Sequence, residues 1–224
     1  MPENRSQPRF VFDFGEASPN DSQSFGGQHL FYQATENLAS KFSRARYIGS
    51  FINKYLLFET NEALLIIDQH AAQERIMFEK FKGQIDSGKV ETQPLLTPLL
   101  INLSPQERII WQEANEELKT CGLETTLFDE ETLALHTHPV LIKDPELAVR
   151  KLLSEETLPR CDHTTIARRA CKASIRAGDK IRPEQIDHQR RELLQCRDPF
   201  TCPHGRPTMI ELPASFIDRQ FLRT

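Results

Sequence analysis

The sequence predicts an α+β fold with two subdomains, in which an antiparallel sheet with helices is interrupted by an inserted α/β piece. Three observations lead to this prediction. The stretch RYIGSFINKYLLFETNEALLIID places polar, turn-like residues between apolar runs, which is typical of an antiparallel meander. From about residue 90 the chain carries strands and a helix of its own, and its last part is typical of helix, helix and strand. The final strand is therefore expected to return to the first sheet.

The composition is that of a soluble globular protein with room for a sizeable core. The chain has 224 residues, of which 27% are charged and 38% hydrophobic. No apolar run approaches the ~20 residues of a membrane span, and MPENRSQPRF lacks the apolar centre of a secretion signal. We therefore expect a cytoplasmic protein without a membrane partner, in which the five cysteines are reduced thiols or metal ligands.

The net charge argues against strong DNA binding by this chain alone. Its value is −4, whereas a protein that grips nucleic acid by itself usually carries a basic surplus that neutralises phosphates. If the chain acts on duplex DNA, we expect weak binding by itself and delivery by a partner or a local basic patch.

Composition also sets the predicted boundaries. Residues 1–28 are rich in Pro, Ser, Asn, Gln and Gly, as in a flexible linker, although RFVF within them could add an edge strand. The main subdomain is predicted to comprise residues 29–89 and 164–224, and the inserted subdomain residues 90–163. No internal repeat interrupts this division.

The individual elements follow from local signals. Three strands are expected in the opening meander, and the helix QHAAQERIMFEKFKGQI follows them directly. The insertion is expected to hold the Pro-punctuated strand VETQPLLTPLLINLS, a helix and the hairpin ETTLFDEETLALHTHPVLI. Its helix has Ser104 as N-cap, Pro105 at the first position, Glu107 at the third and Gly122 as its stop. The helices TTIARRACKASIRAG and PEQIDHQRRELLQC and the strand RPTMIELP complete the chain.

An acid, an imidazole and a second acid cluster where the third strand passes into its helix. His70 and Glu74 are four residues apart, so their side chains share one face of the helix near its start. Asp68 ends the strand, and the ordinary role of an Asp there is helix N-cap. Glu79 is expected to pair on the solvent side with Arg75, four residues before it.

A second stretch, FTCPHGRPTM, adds softer donors. Cys202 and His204 stand in a tight, non-helical turn and offer a thiolate and an imidazole to an ion such as Zn2+. Cys171, on the helix RRACKAS, is a further candidate. Together with Asp68 and its neighbours, these donors exceed what one tetrahedral zinc needs, which indicates two ions, or a structural ion beside an open catalytic one.

Two other pairs have nominal chelating spacing, and for both we favour an ordinary structural role. His136 and His138 alternate along a strand and are expected to line its solvent face. Cys161 and His163 lie at a helix entrance, where Asp162 or Thr164 would serve as the cap.

These motifs carry a family resemblance. DQHAAQERIMFE fits the DQHA-x2-E-x4-E signature of the endonuclease-active C-terminal domains of the MutL mismatch-repair family. ACKAS resembles the ACR motif of that family, CPHGRP matches its motif of the same letters, and the terminal FLRT resembles its F-x-R. The four motifs occur in the family's order over residues 29 to 224.

The resemblance implies metal-dependent nicking of duplex DNA during mismatch repair, by a homodimer. It makes the main subdomain the dimerisation and metal-site part and the insertion a regulatory part. It assigns catalytic roles to Asp68, His70 and Glu74. It assigns metal ligation to Asp68, His70, Glu74, Cys171, Cys202 and His204.

Three further residues are expected to support this site. Glu79 belongs to the signature, and Arg206 is a candidate for positioning a phosphate or holding a carboxylate. Lys172 stands where the family usually has Arg, and a lysine keeps the charge but lacks the planar fork that a bidentate contact needs.

The ligand types predict which ions are used. The thiolates favour Zn2+ as a structural or regulatory ion, and the carboxylates favour Mn2+ or Mg2+ for activity. Divalent ions suit phosphodiester hydrolysis because they acidify a bound water and neutralise the developing charge. No nucleotide site is expected in this segment, because a phosphate-cradling glycine loop is absent from the sequence.

The inserted piece contains a possible docking peptide, QPLLTP. It resembles the Q-x-L-L-x-P peptides by which bacterial repair proteins bind the replication sliding clamp. Gln93 would hydrogen-bond at the pocket rim, Leu95 and Leu96 would fill an apolar groove, and Pro98 would close the motif. The plain alternative is an ordinary apolar strand start. Clamp docking would deliver an acidic domain to DNA.

Two functional hypotheses from different classes remain. In the first, the chain is the nicking domain, associated with the nucleoid and meeting a mismatch-recognition protein through the full-length protein. In the second, it is a non-catalytic dimerisation and docking domain with a structural zinc. A free-standing zinc hydrolase is disfavoured, because the chain begins in a linker. For the dimer face, FIDRQFLRT is the apolar segment to watch.

Overall fold

The computed structural model describes residues 38–154, 163–174 and 183–223, with backbone alone for Cys171–Ser174 and Pro183. The predicted linker, including RFVF, lies outside these residues. The helices are α1 (38–44), α2 (Gln69–Asp86), α3 (Pro105–Thr120), α4 (Pro145–Leu153), α5 (His163–Ser174), α6 (Pro183–Gln195) and α7 (Ala214–Gln220). The strands are β1 (Arg46–Phe51), β2 (Tyr55–Glu59), β3 (Ala63–Asp68), β4 (Thr92–Asn102), β5 (Glu124–Leu127), β6 (Thr132–Pro139) and β7 (Met209–Pro213).

The predicted α+β class is confirmed. Within the described residues the strands form two antiparallel sheets, a 4-stranded one in the order β1-β2-β3-β7 and a 3-stranded one in the order β4-β6-β5. The opening meander and the return of the last strand are both as predicted. In that return, Met209 of β7 lies opposite Ile67 of β3.

The larger sheet buries one face and leaves the other uncovered by the described part of the chain. On the buried face, alternate residues of β2 and β3 pack against α2 and α6. Leu56, Phe58, Leu65 and Ile67 are each at most 4% exposed. The opposite face carries a row of apolar side chains across the sheet, in which Leu57 pairs with Ile66 and Ile66 with Ile210. Because successive side chains of a strand point to opposite faces, one alternating sequence pattern supplies both the buried set and the uncovered set.

The smaller sheet belongs to a second core. Its strands pack with α3 and α4, and the C-terminal half of α2 and the buried face of α5 join the same cluster. Phe78, Phe81 and Ile85 of α2 lie in this core, whereas Ile76 of the same helix lies in the first. Two helices assigned by sequence to the flanking segments therefore also cover the core of residues 90–163. The proposed subdomain boundaries stay a prediction.

Helix α3 shows the predicted termination signals. Ser104 caps its start in a capping box with Glu107, and Pro105 occupies the first turn. Gly122 follows its end with φ +81°, and a Cβ there would meet Thr92 Cγ2 at 2.7 Å. Both the left-handed backbone and the close approach of β4 require glycine at this position.

Three helices were not foreseen: α1, α4 and α7. For α4 the signals were present, because Asp144 caps it and Pro145 begins it. Its buried side chains, Ala148, Val149, Leu152 and Leu153, follow helical spacing. Among the residues that the structure describes, no helix combines the length and the apolar character needed to cross a membrane.

Candidate metal centre

Asp68 sits at the junction of β3 and α2. Its Oδ1 accepts hydrogen bonds from the backbone N–H groups of His70 at 2.9 Å and Ala71 at 3.0 Å. Its own N–H donates to Thr208 O at 2.9 Å, which ties the junction to the segment before β7. The predicted N-cap role is confirmed, and the cap engages one oxygen of the carboxylate.

Glu74 lies six residues further along the chain, within the second turn of α2, and is 5% exposed. Its Oε1 is 3.2 Å from His70 Nε2, so the predicted shared helix face is confirmed. Its Oε2 is 3.1 Å from His204 Nδ1, which comes from a distant part of the chain. One buried carboxylate thus orients two imidazole rings.

The segment around Cys202 is the tight, non-helical turn that the sequence predicted. Cys202 N–H donates to Arg206 O at 2.8 Å, and Gly205 N–H donates to Cys202 O at 2.9 Å. Gly205 has φ +81°, a left-handed conformation that favours glycine. The turn buries Cys202 to 1% exposure and directs His204 towards Glu74.

Glu74, Cys202 and His204 form a cluster with the donors of a zinc site. One ligand atom from each lies within 4.8 Å of the others. Among the described residues, this is the one such group of three or more His, Cys, Asp or Glu side chains. An imidazole, a thiol and a carboxylate suit a borderline-soft ion. In addition, the buried His70 Nδ1 has no hydrogen-bond partner among the described residues, as expected of a ring nitrogen that can bind a metal ion. The residues fit a metal ion.

The other predicted site residues lie around this cluster or outside the description. Asp68 and His70 are outside the group of three, although His70 touches Glu74. Helix α5, which carries Cys171 and Lys172, packs against α2, but both of their side chains lie outside the described residues. Arg206 is exposed on the turn.

The predicted pair of Arg75 and Glu79 is present, with Nη1 at 3.2 Å from Oε1. The prediction that it lies on the solvent side is wrong, because Arg75 is only 8% exposed. Its guanidinium lies over the Phe78 ring, and its Nε donates to Thr201 O at 2.5 Å. Sequence spacing indicated the ion pair, but the contact with Thr201 joins segments far apart in the chain and left no local signal.

The alternative histidine pair has other partners. His136 Nε2 is 2.8 Å from Thr126 Oγ1. His138 is 4% exposed, so its predicted place on the solvent face is wrong. Its Nδ1 is 3.0 Å from Pro139 O and its Nε2 is 2.9 Å from Gln93 Nε2. The β4–β6 register places Gln93 opposite His138, which explains the difference. Of the other pair, His163 begins α5 and Cys161 lies outside the described residues.

Two further cysteines do not supply thiolates at neutral pH. Burial raises the pKa of the Cys121 thiol to about 12, with a smaller contribution from Glu117. Burial, followed by the negative charge of Glu79, raises the pKa of Cys196 to about 12. Since the thiolate is the form that binds metals, both cysteines are poor ligands.

Comparison with known proteins assigns the chain to a family. Residues 48–181 match the family model described as the MutL C-terminal dimerisation domain. The chain belongs to this family. The predicted resemblance is therefore confirmed. The matched range includes the DQHAAQE segment and ends before the turn that carries Cys202 and His204.

Curated relatives agree with the assignment. The chain is 36% identical over 187 residues to the DNA mismatch repair protein MutL of Clostridium botulinum (strain Okra / Type B1), covering 80% of this chain and 28% of that protein. It is 35% identical over 201 residues to that of Clostridium acetobutylicum, covering 86% and 32%. It is 31% identical over 205 residues to that of Clostridium tetani, covering 88% and 33%. The chain thus spans about a third of the length of these relatives.

Proposed function

We propose that this MutL-type domain is a metal-dependent endonuclease that nicks duplex DNA during mismatch repair. One observation carries the proposal: the buried Glu74 meets the buried Cys202 and the half-buried His204 in a cluster built from two distant segments. A hydrophobic core needs none of these side chains. Burying a carboxylate costs desolvation free energy unless positive charges or hydrogen-bond donors offset it. Their convergence is best explained by a bound cation.

The donor types divide the site between two kinds of ion. Glu74, Cys202 and His204, with Cys171 from α5, would hold a structural or regulatory Zn2+. Asp68 and His70, beside Glu74, would serve Mn2+ or Mg2+. When bound, a divalent ion neutralises charge on the phosphate and makes water a competent nucleophile at neutral pH.

The chain's own residues prepare the site. Asp68 is fixed at the start of α2 because its Oδ1 accepts two backbone N–H groups, which leaves Oδ2 for the reaction. Glu74 orients the rings of His70 and His204 through its two oxygens. The exposed Arg206 stands on the same turn and supplies a positive charge for a DNA phosphate.

The uncovered apolar face of the larger sheet supports the homodimer. Ile210, the register partner of Ile66, is 48% exposed, and Ile48, at the irregularity of β1 on the far side of β2, is 46% exposed. Contiguous exposed apolar surface of this kind is typical of a protein interface. The family match is to a dimerisation domain, so a second copy is the proposed occupant. Phe221 and Leu222 are 72% and 92% exposed after α7, which makes the terminal segment a second apolar candidate for the interface.

The geometry of residues 93–98 supports docking on the sliding clamp. The β4–β6 ladder is interrupted between Pro94 and Leu99, and within this gap Leu96 is fully exposed. Leu95 is half-buried against the second core, and Pro98 is exposed. Gln93 is hydrogen-bonded to His138, so docking requires it to exchange that partner. The clamp would compensate for weak DNA binding at net charge −4, while the mismatch-recognition protein would engage the full-length protein.

The second candidate is a non-catalytic dimerisation and docking domain with a structural zinc. The observation that favours it is that Asp68 already has a complete structural role as N-cap. The two candidates differ in whether the carboxylate of Asp68 has any effect beyond capping.

The deciding experiment is nicking of supercoiled plasmid with Mn2+ at low salt, with and without the clamp. We expect relaxed circles with the wild-type chain and none with Asp68→Asn. Asp86→Asn is the matched control, because Asp86 lies on the same helix and pairs with Lys82 away from the cluster. No nicking under any condition, with zinc bound and the dimer intact, would establish the non-catalytic candidate for this domain.

A further inference from the structure

Arg75 connects helix α2 to the turn that carries Cys202 and His204. Its Nε donates to Thr201 O at 2.5 Å, and Thr201 immediately precedes Cys202. Its Nη2 lies 3.6 Å from Asp198 Oδ2, three residues earlier in the same segment. Arg75 also directly follows Glu74. Neighbouring residues of one helix therefore supply a cluster member and a contact with the backbone beside the other two.

Glu79 holds Arg75 in this position. The carboxylate accepts from Nη1 at 3.2 Å, and its side chain is only 21% exposed. The spacing of four residues on a helix is that of an ion pair, and a planar guanidinium can serve a carboxylate and a backbone carbonyl at once. A buried cation without such a counter-charge would be costly. Glu79 lies outside the group of cluster ligands.

We propose that Arg75, held by Glu79, is a positioning residue that fixes the Cys202 turn against α2 and so presets the spacing of Glu74, Cys202 and His204 for their ion. The inference rests on the proposed metal site and deepens it. It gives the last glutamate of the DQHAAQERIMFE segment a definite part: it is the nearer of the two counter-charges of Arg75. We refer to Arg75 and Glu79 as the strut pair.

The internal bonds of the turn explain why it needs such a contact. Cys202 N–H, Gly205 N–H and Thr208 N–H all donate to carbonyls of the same segment, to Arg206, Cys202 and Phe200 respectively. These bonds give the turn its shape, whereas its distance from α2 is set by contacts with that helix and its N-cap: Asp68 N–H donates to Thr208 O at one end of the turn, and Arg75 contacts Thr201 at the other. The strut pair reaches across that distance through a rigid, charged donor, and such donors make the stronger hydrogen bonds.

The first test measures metal affinity in the full chain. Co2+ is used as the probe, through its thiolate absorption band, and Zn2+ competes for it. Because residues that orient metal ligands typically change affinity 10-fold to 100-fold, we expect Arg75→Met to weaken Zn2+ binding by about 10-fold or more. Lys82→Met is the matched control, since it removes the i,i+4 pair with Asp86 on the same helix without touching the turn. Equal affinities in both variants and the wild type would overturn the proposal.

A second variant covers the case in which Arg75→Met does not fold, as judged by circular dichroism. Arg75→Lys keeps the charge but cannot reach the carboxylate and the carbonyl together. We expect Arg75→Lys to weaken Zn2+ binding relative to the wild type, and an affinity equal to that of the wild type would overturn the proposal. Glu79→Gln, added to Arg75→Lys, should cost little more than Arg75→Lys alone, because the two residues act as one unit. Additive losses would show that Glu79 acts separately and would overturn the pairing.

The third test needs no metal. Cys202 is 1% exposed, so its thiol should react slowly with Ellman's reagent in the metal-free wild type. Release of the turn in Arg75→Met should speed this labelling about 10-fold or more, and the same variant with Cys202→Ser isolates the contribution of Cys202. A wild-type chain without Zn2+ binding but with this acceleration would refute the proposed metal site and retain the strut pair. If Zn2+ binding is lost in Cys202→Ser, but Arg75→Met changes neither the affinity nor the labelling rate, the strut pair is refuted and the proposed metal site is retained.

Discussion

At the scale of single residues, Asp68 separates two roles between its two oxygens. Oδ1 caps α2, whereas catalysis would need the negative charge of the whole group. Asn is as good an N-cap as Asp, whereas Ala costs about 1 kcal/mol. We therefore expect Asp68→Asn to abolish nicking at unchanged stability and Asp68→Ala to lower both.

Urea unfolding and the plasmid assay, run on the same preparations, test this expectation. The Asp86→Asn control should match the wild type in nicking. Full nicking by Asp68→Asn, or a loss of stability equal to that of Asp68→Ala, would contradict the division of roles.

The sequence predicted the residues of the site better than their surroundings. The spacing of His70 and Glu74, the cap at Asp68 and the turn around Cys202 are local features, and local features leave a pattern in the sequence. The burial of Arg75 and His138 depends on Thr201 and Gln93, which come from other parts of the chain. The period of a strand or helix shows which side chains share a face, but not which distant residue packs against that face. It therefore cannot reveal a contact of that kind.

At the scale of elements, β4 combines a place in the second core with a candidate docking peptide. Leu96 is fully exposed and Leu95 is half-buried, so the two leucines should respond differently to substitution. We expect Leu96→Ala to reduce co-elution with the sliding clamp about 10-fold or more without lowering stability, because exposed side chains contribute little to folding and anchor residues dominate short-peptide docking.

Ile109→Ala is the matched control, since Ile109 is an exposed apolar residue, at 51%, on α3. Analytical gel filtration with the clamp measures binding, and thermal unfolding measures stability. Clamp binding that persists in Leu96→Ala would contradict the docking role and favour the alternative, in which residues 93–98 are an ordinary strand start.

Elements with strong end signals were predictable, and short ones were less so. The ends of helix α3 were marked in the sequence by Ser104, Pro105 and Gly122. Helix α7 has no side-chain cap and no buried residue, so neither capping nor periodicity marked it. Its position is set by β7, from which it continues directly.

At the scale of the whole molecule, the uncovered sheet face predicts how two copies meet. Placing charge on it should oppose dimerisation, because like charges would face each other across a twofold interface. We expect the double substitution Ile48→Glu and Ile210→Glu to give a monomer in sedimentation equilibrium, with zinc content unchanged. Phe128→Glu is the control, since Phe128 is 68% exposed beside the other sheet.

A dimer that survives the double substitution would move the interface away from the larger sheet. Variants of Phe221 and Leu222, tested in the same way, would then separate a contribution of the terminal segment from that of the sheet.

The two-sheet architecture was predictable because alternation and turns specify antiparallel strands. The way in which the two cores share their helices was not predictable from the sequence. Helix α2 contributes to both cores, since its residues before and after Met77 face different sheets. A boundary drawn on the sequence assigns a helix to one subdomain, whereas different faces of one helix can pack in two cores.

The pairing of β3 with β7 also sets when the site can exist. Ile67 and Met209 are register partners, and Asp68 and Thr208 continue that register to the edge where α2 and the Cys202 turn meet. A ribosome must therefore synthesise the chain as far as His204 before both cluster partners of Glu74 are available. Long-range strand pairing is slow to form, and domains generally fold as units during synthesis. A translation product that ends before Cys202 would thus lack the cluster altogether.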